Sequence, residues 1–310
     1  MTQELPNPQT EAVSGEPLSA LPFPFNQQNY CRYETIEPRI NEARVLVVDN
    51  LLRTEDDLSA VGRREFGVTV EGQLKRERHI ADMAIENIVN NISRLVKRPS
   101  TKVVHVSEVA QASESFRPDA IVLSGTLRDF DYYDQSILDN FRDFISKTRI
   151  PVLAICGGHQ LVGLSFGARV VTLDKLEQHE KRQDRPQEYQ YRFIRIMDAN
   201  DPIFEGIHDA DADLDPAISR KTSILRVWQN HGLQLDRVPN GFKLLATSYL
   251  CRNQMMVKRS EGQLIYTVQF HLEKSFEDWN KSRTRWEHPN ESRDGRLLFE
   301  NFLMLALKKD

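Results

Sequence analysis

The chain has 310 residues with 41 Lys plus Arg against 45 Asp plus Glu. The resulting net charge of -4 leaves no basic surplus to neutralise a phosphate backbone, so no nucleic-acid partner is expected. Hydrophobic residues at 40%, charged residues at 28%, and only 14 Gly and 14 Pro exclude collagen-like and wholly disordered classes and leave a folded globular protein.

No apolar run approaches the roughly 18 residues of a membrane span, and the opening MTQELPNPQTEAVSGEPLS shows neither a cationic leader nor an apolar stretch. Cys31, Cys156 and Cys251 form no CxxC pair, which fits free thiols and a cytoplasmic location, with no membrane partner.

Residues 1–43 are rich in Pro, Gln, Asn, Glu and Ser and contain LPFPF, whose prolines sustain neither helix nor central strand, so they read as an extended, partly disordered arm. Its aromatics, Phe23, Phe25, Tyr30 and Tyr33, are available for packing. A single domain is expected over 44–310, with insertions near 51–100 and 174–225. ARVLVVDN has the continuous apolar pattern of a strand buried on both faces. A helix is expected over Asp57 to Phe66. A second, amphipathic helix through EGQLKRERHIADMAIENIVNNISRLVKR carries Ile80, Met83, Ile85, Ile88, Ile92 and Leu95 largely at three and four spacing. KVVHVSEV and DAIVLSG read as strands, YYDQSILDNFRDFISKT as a helix, and PVLAICGG as a strand. Such alternation predicts an α/β fold with an open, mostly parallel central sheet and helices on both faces. EQHEKRQDRPQEYQ is expected to be a solvated loop. YRFIRIM, ILRVWQN, FKLLATS and QLIYTVQFH read as strands, and DGRLLFENFLMLALKK as a closing helix with its charges suited to the helix dipole.

Chemistry concentrates at PVLAICGGHQLVGLSFGARVV, where a strand runs into Cys156, two glycines follow, and a helical pattern resumes. This is a nucleophile elbow: the tight turn lifts the thiol clear of the sheet and the helix N-terminus favours thiolate. An isolated cysteine is usually a small buried hydrophobe, but the flanking GGHQ argues for reactivity. Acyl transfer through a thiolate needs a base with an orienting partner. His271, at the end of QLIYTVQFH, and Glu273 two residues on project to the same side of an extended backbone and suit those roles. His159 is a weaker candidate base. No histidine spacing resembles a metal motif such as HExxH, and neither metal nor cofactor is expected.

These residues carry a resemblance to the class I glutamine amidotransferases, the Cys-His-Glu family that hydrolyses glutamine to glutamate and ammonia. CGGHQ resembles the family's C-x-G-H-Q elbow, VQFHLE its Q-F-H-P-E, and VWQNHGLQL the W-x-S-H-G segment in the amidotransferase domain of GMP synthetases. The likeness runs from about Val45 to the C-terminus. It implies a flavodoxin-like amidotransferase fold, with Cys156 as nucleophile, His271 as general acid and base, and Glu273 as its orienter. It further implies backbone oxyanion donors at Gly125 and Gly157, and substrate contacts from Gln160, Asn230 and His231.

Three features depart from the family pattern. SGTL at Ser124 to Leu127 replaces S-G-G-P, Leu272 replaces the proline after His271, and Gly157 stands where a side chain is more usual. The implied function is a glutaminase subunit that forms a thioester on Cys156 and delivers ammonia to a separate synthetase, since no GxxxxGK[ST] loop is present. A free-standing γ-glutamyl amide or peptide hydrolase, or a catalytically idle binding module, remains open. So do the oligomeric state and the nitrogen acceptor.

Overall fold

The structure, a computed structural model, describes residues 37–207, 224–260, 262–274 and 293–308. The expectations for most of the arm, and for Cys31, lie outside the described residues. In chain order the elements are β1 (Ile40–Asp49), α1 (Ala60–Phe66), α2 (Val70–Leu95), β2 (Val96–His105), α3 (Val109–Phe116) and β3 (Ala120–Leu123). Then follow α4 (Gln135–Lys147), β4 (Val152–Ile155), α5 (Gly157–Ser165), β5 (Val170–Thr172), β6 (Glu188–Ile196) and β7 (Ile224–His231). The chain continues with β8 (Leu233–Leu235), β9 (Lys243–Thr247), β10 (Met255–Ser260), β11 (Gln263–Val268) and α6 (Arg293–Leu307).

Nine strands form one sheet in the order β2-β1-β3-β4-β11-β10-β9-β6-β7. The run from β2 to β11 is parallel, as the alternation of strand and helix requires, and β10, β9, β6 and β7 extend it by antiparallel pairing. The parallel strands alternate between two cores because successive side chains leave opposite faces. Val45, Val47, Val122, Leu153 and Ile155 meet Ile88, Ile92 and α6 on one face. Leu46, Val48, Ile121, Leu123, Val152 and Ala154 meet α3 and α4 on the other. At about 1.5–3 kcal/mol for each large side chain fully removed from water, this two-sided burial is the main stabilising term.

Several boundaries differ from expectation. β1 begins at Ile40, and Arg39 makes a two-pronged ion pair with Glu300 on α6, so the end of the expected arm belongs to the body. α2 stops at Leu95 and the chain becomes extended at Val96; Pro99 is tolerated there because β2 lies at the sheet edge. The charged segment before β6 stays at the surface, as expected, but is anchored to the body. Arg182 bonds Asp129 and Asp131, and Arg185 bonds both carboxylate oxygens of Asp129 at 2.8 and 2.5 Å. Its cations clasp a carboxylate that would otherwise be buried uncompensated.

Candidate active site

Register brings the candidate residues together. β4 lies between β3 and β11, with Leu123 opposite Ala154 and Val268 opposite Ile155, so three parallel strands end side by side. In open α/β sheets this carboxyl edge is where ligands bind. Cys156 follows β4 at φ 49° and ψ -104°, a backbone conformation costing about 1–3 kcal/mol outside glycine, and α5 starts at the next residue. Its N–H donates to Val268 O at 2.7 Å, locking the elbow to β11.

The close turn explains the two glycines. A Cβ at Gly158 would lie 2.9 Å from both Leu123 Cβ and Ser124 O, while one at Gly157 would run into the Thr126 hydroxyl and backbone nitrogen. Thr126 therefore occupies the space of a side chain at position 157. Gly125 faces the centre: a Cβ there would sit 3.5 Å from Cys156 Cβ and from His271 Cε1, and 3.9 Å from Gly157 N. The Ser124–Gly125 loop is held from below by Asn50, whose Nδ2 donates to Ser124 O at 2.6 Å and whose N–H donates to Ser124 Oγ at 3.0 Å.

His271 is fixed by its N–H donating to Trp228 O at 2.9 Å. Its Nδ1 lies 2.7 Å from Glu273 Oε1, and its ring and the Cys156 side chain both border the space beside Gly125. Burial works against a charged ring, but Glu273 and Cys156 outweigh it and hold the His271 pKa well above the ordinary imidazole value. Leu272, in the place of the family's proline, is buried in the core, and Gly295 at the start of α6 passes close beneath it: a Cβ there would lie 2.9 Å from Leu272 O. Glu273 O accepts from Asn91 Nδ2 on α2 at 2.7 Å.

The remaining candidates are distributed differently. Gln160 is buried, and its Nε2 donates to Leu233 O at 3.3 Å and Gln269 Oε1 at 3.1 Å; Gln269 Nε2 in turn lies 3.7 Å from Cys156 Sγ. Gln160 thus stands one side chain behind the thiol. Asn230 is exposed at the end of β7, whereas His231 is buried, with Nδ1 2.9 Å from Leu233 O and Nε2 3.1 Å from Glu188 Oε2. His159 points away from the thiol into the sheet, its Nδ1 2.7 Å from Thr267 Oγ1; burial, reinforced by His231, pushes its pKa down to about 3. Burial and the neighbouring Glu188 raise the Cys251 thiol far above its usual range. Sequence reasoning flags Thr126 through the SGTL departure but does not reach Asn50, Asn91 or Gln269. Of these last three only Gln269 has a local signal, as the first residue of QFHLE.

The fold and this edge define an α/β protein that brings a thiol, an imidazole and a carboxylate to the carboxyl ends of β4 and β11, the last two 2.7 Å apart. The family model of class-I glutamine amidotransferases matches residues 79–287, and the chain belongs to that family. It is 36% identical over 138 residues to a glutamine-hydrolyzing GMP synthase subunit of Thermococcus kodakarensis, covering 44% of this chain and 56% of that protein. The Pyrococcus furiosus protein of the same description is 33% identical over 162 residues, 52% of this chain and 69% of that protein. The chain thus spans between 56% and 69% of the length of these curated relatives. A solved structure of a glutamine amidotransferase from Thermotoga maritima is 18% identical, with a TM-score of 0.49, covering 86% of this chain and 99% of that one.

Proposed function

We propose that this protein hydrolyses the side-chain amide of glutamine and hands the ammonia to a separate amidating enzyme. The observation that carries the reading is the placement of Cys156 and His271 around Gly125, with Glu273 2.7 Å from the imidazole, at the mouth of the parallel sheet. Glu273 keeps the imidazole charged beside the sulfur. The thiolate adds to the amide carbon, and the oxyanion that forms is met by N–H groups of Gly157 and of the Gly125–Thr126 loop, each worth about 3–4 kcal/mol in such sites. His271 then protonates the departing ammonia, leaving a γ-glutamyl thioester, and takes a proton from the water that hydrolyses it. In this reading Asn230, exposed at the end of β7, would contact the amino acid's α-groups, and Gln160, one side chain behind the thiol, would help hold the substrate.

The relatives' description as glutamine-hydrolysing GMP synthase subunits supports a nitrogen donor that works with a second polypeptide. Among the described residues no helix is long and apolar enough to cross a membrane, and Cys156 and Cys251 are free thiols, which supports a cytoplasmic setting. The decisive experiment purifies the protein with its bound partners and compares glutamine with ammonium as nitrogen source. A Cys156→Ala variant loses glutamine-dependent amidation and keeps the ammonium-dependent reaction. Absence of glutaminase activity in the intact complex would overturn the reading. One observation favours a second: Thr126 standing over Gly157 reshapes the oxyanion wall, which suits hydrolysis of other γ-glutamyl amides, and a turnover ranking of such amides above glutamine would select it.

A further inference from the structure

Behind the catalytic edge, three residues remote in sequence converge in the core. Glu188 opens β6, His231 closes β7, and Cys251 lies in the turn between β9 and β10; all three are buried, and one ligand atom of each falls within 4.8 Å of the others. The histidine is oriented. Its Nδ1 lies against Leu233 O at 2.9 Å and so carries the proton, which leaves Nε2 facing inward. There it stands 3.1 Å from Glu188 Oε2 yet makes no hydrogen bond, so the carboxylate is poorly aligned to accept an Nε2–H.

A bare ring nitrogen and a carboxylate oxygen facing one another away from water repel unless a positive species lies between them. The carboxylate is itself held in place: Ser248 Oγ donates to Oε1 at 2.8 Å and Gln254 Nε2 to Oε2 at 2.6 Å. A ring N–H fixed on a backbone carbonyl, and a carboxylate fixed by donors, are the supports that metal ligands characteristically receive.

We propose that Glu188, His231 and Cys251 bind a zinc-class divalent cation. One oxygen, one nitrogen and one sulfur suit a borderline-soft ion and disfavour magnesium or calcium, which take oxygen ligands. In a tetrahedral zinc site the ligand atoms sit roughly 3.3–3.8 Å apart, so side-chain adjustments of under about an ångström convert this cluster into a coordination shell. Binding displaces the thiol proton to water and forms the metal–sulfur bond. The Asn253 carbonyl, 3.5 Å from Cys251 Sγ and its acceptor in the metal-free chain, is freed to complete the shell. The ion would pin β6, β7 and the β9–β10 turn together. It would also fix Leu233, whose carbonyl accepts from both His231 and Gln160, and so stiffen the wall behind the thiol. This site is independent of the substrate assigned above.

The test uses the full chain purified without a polyhistidine tag. Elemental analysis is expected to find one equivalent of zinc per chain, and chelation to lower the unfolding temperature. Anaerobic replacement by cobalt is expected to give visible bands of a tetrahedral ion and a near-ultraviolet thiolate charge-transfer band. That band disappears in Cys251→Ser and persists in Cys156→Ala. Glu188→Gln, nearly isosteric, folds but loses zinc on dialysis, which covers the case in which the cysteine variant fails to fold. Wild-type protein that neither carries zinc nor takes up cobalt would overturn the proposal and leave a proton-sharing pair. A cobalt spectrum lost with Cys156 and unchanged by Cys251→Ser or Glu188→Gln would overturn it equally.

Discussion

Asn91, in the last turns of α2, donates its side-chain amide to the backbone carbonyl of Glu273 at 2.7 Å. The same Nδ2 also donates to Asn87 O at 2.8 Å within the helix, so a segment that reads as an insertion holds the residue paired with the His271 imidazole. α2 reaches this position because it is 26 residues long: Val70 and Leu74 pack in one core and Ile88, Ile92 and Leu95 in the other. Asn91→Leu keeps the volume and leaves the Glu273 carbonyl without its donor. The expected result is a fall in kcat of about 5- to 30-fold, equivalent to 1–2 kcal/mol, with a smaller change in KM. Steady-state kinetics beside urea denaturation separates this positioning loss from a loss of fold.

The pair Thr126 and Gly157 makes a sharper prediction. Because Thr126 fills the volume beside Gly157, Gly157→Ala alone is overpacked and displaces an expected oxyanion donor, and turnover should fall by about 10²-fold or more. Thr126→Gly alone opens the wall at modest cost. Combined, the two changes exchange the side chain from one wall to the other, and activity should recover by about tenfold over Gly157→Ala. Additive losses in the double variant would show that the two positions are not coupled.

These contacts also show what is readable from the sequence. β1, β3 and β4 are legible because burial on both faces makes a strand continuously apolar, and the elbow is legible because its strand, turn and helix are contiguous. β10 escapes because MMVKRS ends in polar residues, and β5 and β8, three residues each, are too short for any period to register. Asn91 and Asn50 have no signature because their partners lie on other elements, whereas Thr126 shows as a departure from the family's loop without revealing that it faces Gly157. The same holds for the buried Glu188, His231 and Cys251, whose meeting depends on the antiparallel extension of the sheet, so the expectation of no metal rests on spacing alone. The anchoring of the segment before β6 is missed for a related reason: composition reports charge, not the remote carboxylates that receive it.

That segment supplies the next test. Asp129 is buried and held by both Arg182 and Arg185, following the loop that carries Gly125 and Thr126. Arg185→Met removes one clasp and leaves Asp129 underpaired. The expected loss is about 1–3 kcal/mol in denaturant unfolding, with reduced turnover as the Gly125–Thr126 loop loosens. Lys147→Met, which removes an exposed i,i+4 contact to Asp143, should fall within about 0.5 kcal/mol of wild type.

His159 makes the fold acid-sensitive. In the folded chain it stays neutral down to about 3, whereas in the unfolded chain it titrates near its ordinary value. Between those limits the unfolded state binds a proton that the folded state does not, so stability falls as pH falls. The slope from this one residue is about 1.4 kcal/mol per pH unit, beginning near pH 6.5. His159→Gln is expected to cost stability at neutral pH, through its contact to Thr267, and to flatten the acid limb measured by denaturation between pH 7 and 4.

The opposite sign applies at His271. Its folded-state pKa lies above the ordinary value, so the stabilising interaction with Glu273 and Cys156 is fully present below about pH 6.5 and is lost as pH rises through the folded-state value. Glu273→Gln removes the carboxylate that contributes most to that elevation, and the imidazole pKa falls. At neutral pH the charged ring that accompanies the thiolate is then depopulated. Alkylation of Cys156 by iodoacetamide should slow, and kcat should drop by about 10²- to 10⁴-fold, the range for a lost acid-base function. The stability gap between wild type and variant should be widest in mild acid and should narrow as pH is raised. A variant that alkylates as fast as wild type at every pH would show that Glu273 does not tune the imidazole and that the 2.7 Å contact serves packing alone.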